Sequence, residues 1–370
     1  MTDTNPPQPT RARGRSTPVA DRVAKGEVLL EVEDLQVEFR TKAGVAHAVN
    51  GVNYTLRAGE TLAVLGESGS GKSVTAQAVM GILDSPPGKV TGGQVRFRGK
   101  DLLAMKESER RLYRGEKISM IFQDSLSALN PVFPVGAQIA EMFRVHRKMG
   151  KKEATERAIE LMDRVRIPAA RERVNNYPHE FSGGMRQRIM IAMAIALDPE
   201  VLIADEPTTA LDVTVQAAIL DLLKELQDEY GSAIILITHD LAVVAEVAHD
   251  TLVMYAGRGV ERGDTKEVLA DPRHPYTRGL LGSVPSISET VGDELRPIKG
   301  APPSLTHLPS GCSFNPRCEF ASMVPEDRCR TAVPGLTVPP GTDHRLVRCH
   351  LSAMGVDIST VDPTPQETLR

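Results

Sequence analysis

Runs of apolar residues that alternate with helical patterns give the first view of the fold. TLAVL (61–65), VLIAD (201–205) and AIILIT (233–238) are almost continuously apolar. Such runs are typical of strands that are covered on both faces in a parallel sheet. Residues 153–165 instead carry apolar side chains at helical spacing, which indicates a helical insertion at about 125–180. Together these patterns predict an α/β fold.

Proline content marks where the folded body begins and ends. Four prolines lie in residues 1–18 and fourteen in residues 271–370, against eight in the 252 residues between. Because proline interrupts helices and sheets, both ends of the chain are expected to be irregular. Near the start of the body, VEFRTKAGVAHAV (37–49) predicts an antiparallel hairpin. We predict a disordered tail, a folded body with the helical insertion, a loop-rich extension and a second disordered tail: 1–26, 27–270, 271–351 and 352–370.

Composition and charge exclude several classes of protein. The 370 residues carry a formal net charge of −4, no Trp and 4% aromatic residues, so a nucleic-acid-binding surface is not expected. The longest apolar run, Ile189–Leu197, has nine residues, against about 20 needed to cross a bilayer. The N-terminus lacks the apolar core of a signal peptide. We therefore expect a soluble protein of the cytoplasm.

The segment GESGSGKS (66–73) follows a predicted strand and matches the phosphate-binding pattern G-x-x-x-x-G-K-[ST]. Its glycines let the backbone pass close to phosphate oxygens, and its N–H groups and the start of the next helix stabilise the anion. The lysine adds charge at the β- and γ-phosphates, and the last serine offers a hydroxyl to Mg²⁺. The predicted nucleotide site comprises Gly66, Glu67, Ser68, Gly69, Ser70, Gly71, Lys72, Ser73 and Val74.

Polar side chains follow three of the predicted strands. Asp205 and Glu206 end VLIADEP (201–207), Gln123 follows the strand-like run of MIFQD, and His239 follows AIILIT. Ligands of open α/β folds bind beyond the carboxyl ends of the strands. Asp205 is expected to hold Mg²⁺ together with Ser73 and Gln123, and Glu206 to orient or deprotonate an attacking water.

A second anion cradle is predicted in FSGGMRQR (181–188), where Ser-Gly-Gly begins a helix. A chain with one lysine-bearing phosphate loop does not need a second cradle for the same nucleotide. The simplest interpretation is that this cradle serves a nucleotide bound to another subunit.

The ordered set of GESGSGKS, Gln123, FSGGMRQR, VLIADEP, TALD (209–212) and His239 resembles the nucleotide-binding subunit of an ABC transporter. The resemblance covers about residues 28–265. It implies a P-loop ABC-type nucleotide-binding domain with a mixed sheet core, an antiparallel β subdomain and a helical subdomain. It also implies an ATPase that forms a head-to-tail dimer with ATP sandwiched between the two subunits.

The resemblance further implies a role for individual residues. The helix start of the second subunit would contact ATP through Ser182, Gly183 and Gly184. Glu206 would be the catalytic base, His239 a γ-phosphate contact, Asp212 a dimer-interface residue and Gln123 a link to the membrane partner. Two positions depart from the family pattern. Met185 stands where the signature usually has Gln, and the aromatic that stacks on adenine is Phe39 or, as a weaker candidate, Tyr54.

The extension carries a narrower resemblance. HPYTRGLL (274–281), then GAPPSL, then GCSFNPRC resemble the C-terminal extension of oligopeptide and dipeptide importer ATPases, as does FQDSLSALNP (122–131) within the body. From its residues alone, HPYT indicates only a strand or a loop. The resemblance implies a subunit at the cytoplasmic face of the cell membrane that powers peptide import. Its partners would be two membrane permease subunits, a second ATPase subunit that is a related chain rather than a copy, and, indirectly, an extracytoplasmic peptide-binding protein.

The four cysteines of the chain all lie in the extension, at Cys312, Cys318, Cys329 and Cys349. Four thiolates suit zinc or an iron–sulfur cluster, and a loop-rich segment with little core gains stability from such a site. In the peptide-importer family the matching cysteines are associated with a [4Fe–4S] cluster. Zinc, free thiols and a labile disulfide stay open as alternatives. We expect His344 and His350 to be bystanders.

Two other functions remain open. Related importers carry nickel or other small solutes. Soluble ABC-type ATPases use the same sandwich, and here the extension would serve as an iron–sulfur regulatory domain. The DNA-repair kind usually has a long coiled coil between its motifs, whereas only 108 residues separate Lys72 from Phe181 here. The ribosome-associated kind usually has two nucleotide domains in one chain, and this chain has one set of motifs.

Overall fold

The computed structural model describes residues 26–209, 212–283 and 298–361. Almost all of the predicted N-terminal tail, and residues 362–370 of the predicted C-terminal tail, lie outside these ranges. Within them, no helix has both the length and the apolar character needed to span a membrane.

The strands are β1 Val28–Thr41, β2 Gly44–Arg57, β3 Thr61–Leu65, β4 Gly88–Phe97, β5 Lys100–Asp101, β6 Ile118–Ile121, β7 Val201–Asp205, β8 Ala233–Ile237, β9 Asp250–Tyr255, β10 Arg258–Asp264 and β11 Leu346–Val347. The helices are α1 Lys72–Met80, α2 Glu107–Arg110, α3 Ser125–Ala128, α4 Val135–His146, α5 Lys151–Arg164, α6 Ala170–Arg173, α7 Gly183–Ile195, α8 Val213–Tyr230, α9 Leu241–Val247, α10 Thr265–Ala270, α11 Pro275–Leu281, α12 Arg328–Thr331 and α13 His350–Ala353.

A seven-stranded mixed sheet forms the centre of the protein, in the order β11-β10-β9-β3-β8-β7-β6. The strands from β9 to β6 run parallel, and β10 and β11 are antiparallel to their neighbours. The three apolar runs predicted as buried strands are β3, β7 and β8. Successive residues of β7 pack into two different hydrophobic cores, with Leu202 on one side and Val201 and Ile203 on the other. Burial on both faces explains why these strands read as continuous apolar runs.

Two further layers cover this sheet, and both were predicted. Strands β2, β1, β4 and β5 form a four-stranded antiparallel sheet, in which β1 and β2 are the expected hairpin with Thr41 opposite Gly44. Helices α3 to α6 occupy the predicted insertion, and their apolar residues pack with those of α7 and α8 in one core. The helical pattern read at 153–165 belongs to α5.

The extension belongs to the main sheet and is not simply attached to it. Its strand β11 pairs with β10 through Glu261 and Arg262. Beside that pairing, the buried Arg345 donates from Nε to Glu261 Oε1 at 3.0 Å, and both side chains are at most 2% exposed. HPYT, interpreted from its residues as a strand or loop, instead begins helix α11 at Pro275. Proline is favoured in the first turn of a helix, which the isolated tetrapeptide does not reveal.

The second tail was predicted to begin at residue 352, but the chain remains packed beyond that point. Ser352 and Ile358 are 2% and 0% exposed, and Arg278 donates to the carbonyl oxygen of Ile358. Residues 352–361 therefore pack on the extension. Ile358 and Val356 pack into a small core of the extension, and Asp357 pairs with Arg273; such scattered contacts give no periodic pattern that sequence reasoning could use.

His274 makes the stability of the extension depend on pH. The side chain is 1% exposed, and its Nδ1 accepts a hydrogen bond from the N–H of Tyr276 as the N-cap of α11. Burial lowers the pKa of His274 to about 3, while the unfolded chain titrates near the usual value of about 6.5. As the pH falls below 6.5, the unfolded chain gains a proton that the folded chain does not, so stability falls by roughly 1.4 kcal/mol per pH unit.

We expect His274→Asn to remove this dependence, because Asn can cap the helix but does not titrate. Between pH 7 and pH 5 the free energy of unfolding of the unmodified protein should fall by about 2 kcal/mol more than that of the variant. Urea unfolding followed by circular dichroism measures both. His307→Asn, in an exposed loop, should behave like the unmodified protein. Parallel pH profiles for His274→Asn and the unmodified protein would contradict the assignment.

Candidate active site

The carboxyl ends of the parallel strands lie level with one another. Asp205 of β7 is opposite Ile237 of β8, Ile237 is opposite Val64 of β3, and Ile121 of β6 is opposite Ala204. The polar residues that follow these strands therefore come together at one edge of the sheet, as predicted for an open α/β fold.

The phosphate loop runs from β3 into α1 and requires glycine at two points. Gly66 has φ 151° and Gly71 has φ 102°, a region that other residues rarely adopt. A Cβ atom on Gly66 would lie 2.3 Å from the carbonyl oxygen of Met254, and one on Gly71 would lie 2.4 Å from that of Ala48. Ser68 and Gly69 are exposed, whereas Val74 packs against the core below. The loop is thus a tight backbone turn with an open outer side.

Lys72 lies inside this loop. Its side chain is buried, and Nζ donates to the carbonyl oxygens of Gly66 at 2.7 Å and Glu67 at 3.1 Å. Burial lowers the pKa of Lys72, and the carboxylates of Glu206, Asp205 and Glu67 oppose that shift. A buried cation held inside the loop at the start of a helix is placed where phosphate oxygens bind.

Ser73 and Asp205 form a pair of oxygen donors next to Lys72. The hydroxyl of Ser73 donates to Asp205 Oδ1 at 3.0 Å. Burial raises the pKa of Asp205, which the hydrogen bond from Ser73 partly offsets. A hydroxyl beside a carboxylate is a suitable set of hard ligands for Mg²⁺.

Glu206 is hydrogen-bonded by two side chains from different parts of the chain, and a third side chain lies nearby. Its Oε2 accepts hydrogen bonds from Gln123 Nε2 at 2.9 Å and Thr209 Oγ1 at 2.8 Å. His239 Nδ1 lies 3.6 Å from Oε1. The backbone of Glu206 has φ 46°, a strained value for a residue with a side chain. The structure therefore fixes the direction of this carboxylate. Gln123, predicted to approach the metal, contacts Glu206 here.

Thr209 was not predicted from the sequence. It lies in the turn after β7, and its N–H donates to the carbonyl oxygen of Glu206 at 3.2 Å. A hydroxyl three residues after an acid at the end of a strand was the only available signal, and such spacing is common in turns.

Ser182, Gly183 and Gly184 begin helix α7 as predicted. Ser182 is the N-cap and its hydroxyl accepts a hydrogen bond from the N–H of Met185 at 3.3 Å. A Cβ atom on Gly183 would meet nothing within 4 Å among the described residues, so the helix start is open on that side. The side chain of Met185 packs against the helical layer, which leaves the backbone amides as the available anion donors.

Asp212 and the two aromatic candidates have separate surroundings. Asp212 is exposed and caps α8 through a 2.9 Å hydrogen bond from the N–H of Val215; its motif neighbours Ala210 and Leu211 lie outside the described residues. Tyr54 is 3% exposed within a hydrophobic core, and burial raises its pKa, so its ring is not available to a ligand. Phe39 is half-buried beside Gly88.

The four cysteines line one cavity of about 10 Å³ in the extension. Burial raises the pKa of each thiol. Backbone N–H groups point at three of the sulfurs, from Phe314 and Asn315 to Cys312, from Phe320 to Cys318, and from Leu351 and Ser352 to Cys349. In the part of the chain that the structure describes, no group of three or more His, Cys, Asp or Glu side chains is placed to hold a single metal ion.

The two histidines near the cysteines differ in exposure. His350 also lines the cavity, but its Nε2 is hydrogen-bonded to the carbonyl oxygen of Ala332 at 2.9 Å. His344 is exposed.

Comparisons with known proteins agree with these features. Residues 49–209 match the family model for ABC transporters, and residues 260–324 match the model for the C-terminal region of oligopeptide/dipeptide transporters. The chain is 53% identical to the oligopeptide transport ATP-binding protein OppD of Bacillus subtilis, over 80% of this chain and 83% of that protein. It is 52% identical to OppD of Salmonella typhimurium, over 85% and 92%, and 50% identical to the dipeptide transport ATP-binding protein DppD of Bacillus subtilis, over 88% and 95%.

Among solved structures, the dimeric bacterial ABC transporter cassette MJ0796 matches with a TM-score of 0.58 and 26% identity, covering 64% of this chain and 99% of that chain. The same cassette in a post-hydrolysis state with ADP and Pi matches equally well.

Proposed function

We propose that this chain, which belongs to the ABC transporter family among the oligopeptide and dipeptide transport ATP-binding proteins, hydrolyses ATP to power peptide import through a membrane transporter. The observation that carries the proposal is the carboxylate of Glu206. Gln123 and Thr209 orient it at the same sheet edge as the phosphate loop.

Hydrolysis follows from the positions of the chain's own groups. The loop amides and Lys72 bind the β- and γ-phosphates of ATP. Ser73 and Asp205 would hold Mg²⁺, which would neutralise charge on the phosphates. Glu206 accepts a proton from the attacking water, and its direction is fixed before ATP arrives. His239, 66% exposed, is free to turn to the γ-phosphate.

A second ATPase subunit completes the site. The open helix start at Ser182–Gly184 supplies amides to an ATP bound on the partner, and the exposed Asp212 lies at that interface. Phe39 stacks on adenine. We infer that the partner is a related chain and not a second copy of this one.

Closure of the ATPase dimer moves two membrane permease subunits, which this chain contacts on the cytoplasmic face of the membrane. A peptide-binding protein delivers the substrate to the permease subunits. The surface next to Gln123 supports this contact. Phe122, Val132 and Phe133, which lie near Gln123 in the sequence, are 39%, 70% and 54% exposed, and exposed large apolar side chains favour protein contacts.

We further infer that the four cysteines hold a [4Fe–4S] cluster. Amides aimed at the sulfurs stabilise thiolates and are one of the features that set the potential of such clusters. A zinc ion requires all four sulfurs about 2.3 Å from one point. Four thiolates suit either zinc or an iron–sulfur cluster, and metal analysis of the purified protein distinguishes the two. The four sulfurs would act as ligands only. The role of the cluster would be structural, because it would link parts of the loop-rich extension.

Uptake measurements test the transport function. In cells from which this chain has been removed, uptake of labelled di- and oligopeptides should stop and return with the unmodified chain but not with Lys72→Ala. Lys152→Ala, on an exposed position of α5, should restore uptake fully. Loss of nickel uptake with peptide uptake intact would favour the small-solute importer. Normal uptake of both, with ATPase activity in the purified chain, would favour a soluble ATPase.

A further inference from the structure

The phosphate loop is bound from outside by the cysteine-bearing extension. The carboxylate of Glu67, the second residue of the loop, makes two hydrogen bonds with the guanidinium of Arg317, at 2.8 Å to Nη1 and 3.0 Å to Nη2. The N–H of Glu67 donates to the hydroxyl of Tyr276 at 2.8 Å. The extension thus contacts Glu67 at both its backbone and its side chain.

Arg317 is fixed in place before it reaches Glu67. Its side chain is 6% exposed. It also donates to the carbonyl oxygen of Lys299 at 3.1 Å and to the hydroxyl of Tyr255 at 3.3 Å, and it lies over the rings of Tyr255 and Phe314. Because a guanidinium presents a rigid fork, this geometry selects a carboxylate in one orientation.

The position of Arg317 in the sequence links it to the cysteines. It ends the short 3₁₀ turn Asn315–Arg317, directly before Cys318. Asn315 Nδ2 donates to the carbonyl oxygen of Cys312 at 2.8 Å, and the N–H of Cys318 donates to the carbonyl oxygen of Asn315. The turn that carries Arg317 is therefore hydrogen-bonded to one cysteine before it and to one after it.

We propose that Arg317 is a positioning residue for ATP, which neutralises Glu67 and fixes the entrance of the phosphate loop. Without Arg317, a carboxylate at the loop would face a polyanionic ligand, and repulsion would weaken binding. The side chain also sets the direction of Glu67, whose carbonyl oxygen accepts a hydrogen bond from Lys72. The inference rests on ATP binding at this loop and needs neither the peptide substrate nor the cluster.

A consequence follows for the cysteine turn. If the turn holds Arg317 and Arg317 favours ATP binding, bound ATP must stabilise the turn to the same degree, because coupling between two sites is reciprocal. Loss of structure in the turn would then lower the affinity of the nucleotide site for ATP.

The test uses the full purified chain and four variants: Arg317→Gln, Arg317→Lys, Glu67→Gln and the double variant Arg317→Gln/Glu67→Gln. Fluorescent ATP-analogue titration of the chain gives Kd, and phosphate release in the presence of the partner ATPase subunit gives kcat and KM. We expect Arg317→Gln to raise Kd and KM for ATP about 10-fold with little change in kcat. The reason is that Arg317 favours bound ATP equally in the ground state and in the transition state. Arg317→Lys should give an intermediate Kd for ATP, because lysine keeps the positive charge but not the planar guanidinium that makes two hydrogen bonds. The double variant should recover most of the affinity.

Arg330→Gln is the matched control, because Arg330 lies in the same extension with a 72% exposed side chain. It should bind ATP like the unmodified chain. If Arg317→Gln does not fold, Glu67→Gln alone still decides, because it removes the charge to be neutralised and should bind ATP at least as tightly as the unmodified chain.

Three results would overturn the inference: an unchanged Kd in Arg317→Gln, no recovery in the double variant, or a clear loss of affinity in Glu67→Gln. Failure of the unmodified chain to bind ATP would overturn the ATPase function itself, and the inference with it.

Discussion

Glu206→Gln lowers the ATP turnover of the chain by about 10²- to 10⁴-fold while ATP still binds. The amide keeps the shape of the carboxylate and can remain next to Gln123 and Thr209, but it cannot accept a proton from water. Hydrolysis stops at the closed dimer, which should accumulate. Phosphate release measures the turnover, and size-exclusion chromatography with ATP and the partner ATPase subunit measures the closed dimer.

Glu153→Gln is the control for this substitution, because Glu153 is an exposed residue of the first turn of α5. Its turnover should equal that of the unmodified chain. Normal turnover in Glu206→Gln would mean that Glu206 is not the base, and Asp205 would then be the remaining carboxylate at that strand end.

We expect Cys318→Ser to prevent assembly of the proposed cluster and to loosen the extension. Burial raises the pKa of the Cys318 thiol, and metal binding would convert this costly buried thiolate into a ligand. Protein purified without air should contain about four iron and four sulfide per chain and absorb visible light. The variant should contain roughly none, and proteolysis should cleave its extension faster.

Arg330→Gln again serves as the control, with full iron content. Equal iron, absorbance and proteolysis in Cys318→Ser and the unmodified protein would exclude a four-cysteine site. Zinc in place of iron would keep the four ligands and change the metal. Because Arg317 precedes Cys318, the variant should also bind ATP more weakly, by no more than Arg317→Gln does.

The sequence revealed the features that are local in the chain. Strand β3 and the phosphate loop are contiguous, and burial on both faces of β7 leaves a run of apolar residues that ends at Asp205. The same local signal gave helix α7 and its Ser-Gly-Gly start. Each of these needs only a few neighbouring residues to be recognised.

Long-range contacts left no such signal. Arg317 and Glu67 are 250 residues apart, and each alone resembles a charged residue on a loop. Thr209 orients Glu206 through a turn whose geometry no spacing rule predicts. Tyr54 belongs to an alternating strand, and only the structure shows that its ring faces the core, which leaves Phe39 as the aromatic candidate for the adenine.

The pairing of β11 with β10 has a consequence for how such proteins can be recombined. Glu261 lies on β10 and Arg345 directly before β11, and each is buried against the other. A hybrid whose replacement extension lacks an arginine at position 345 would leave the buried Glu261 carboxylate without its counterpart, which typically destabilises a protein by about 3–5 kcal/mol. Exchanges of the C-terminal segment between relatives are therefore expected to succeed where both members of this buried pair are kept.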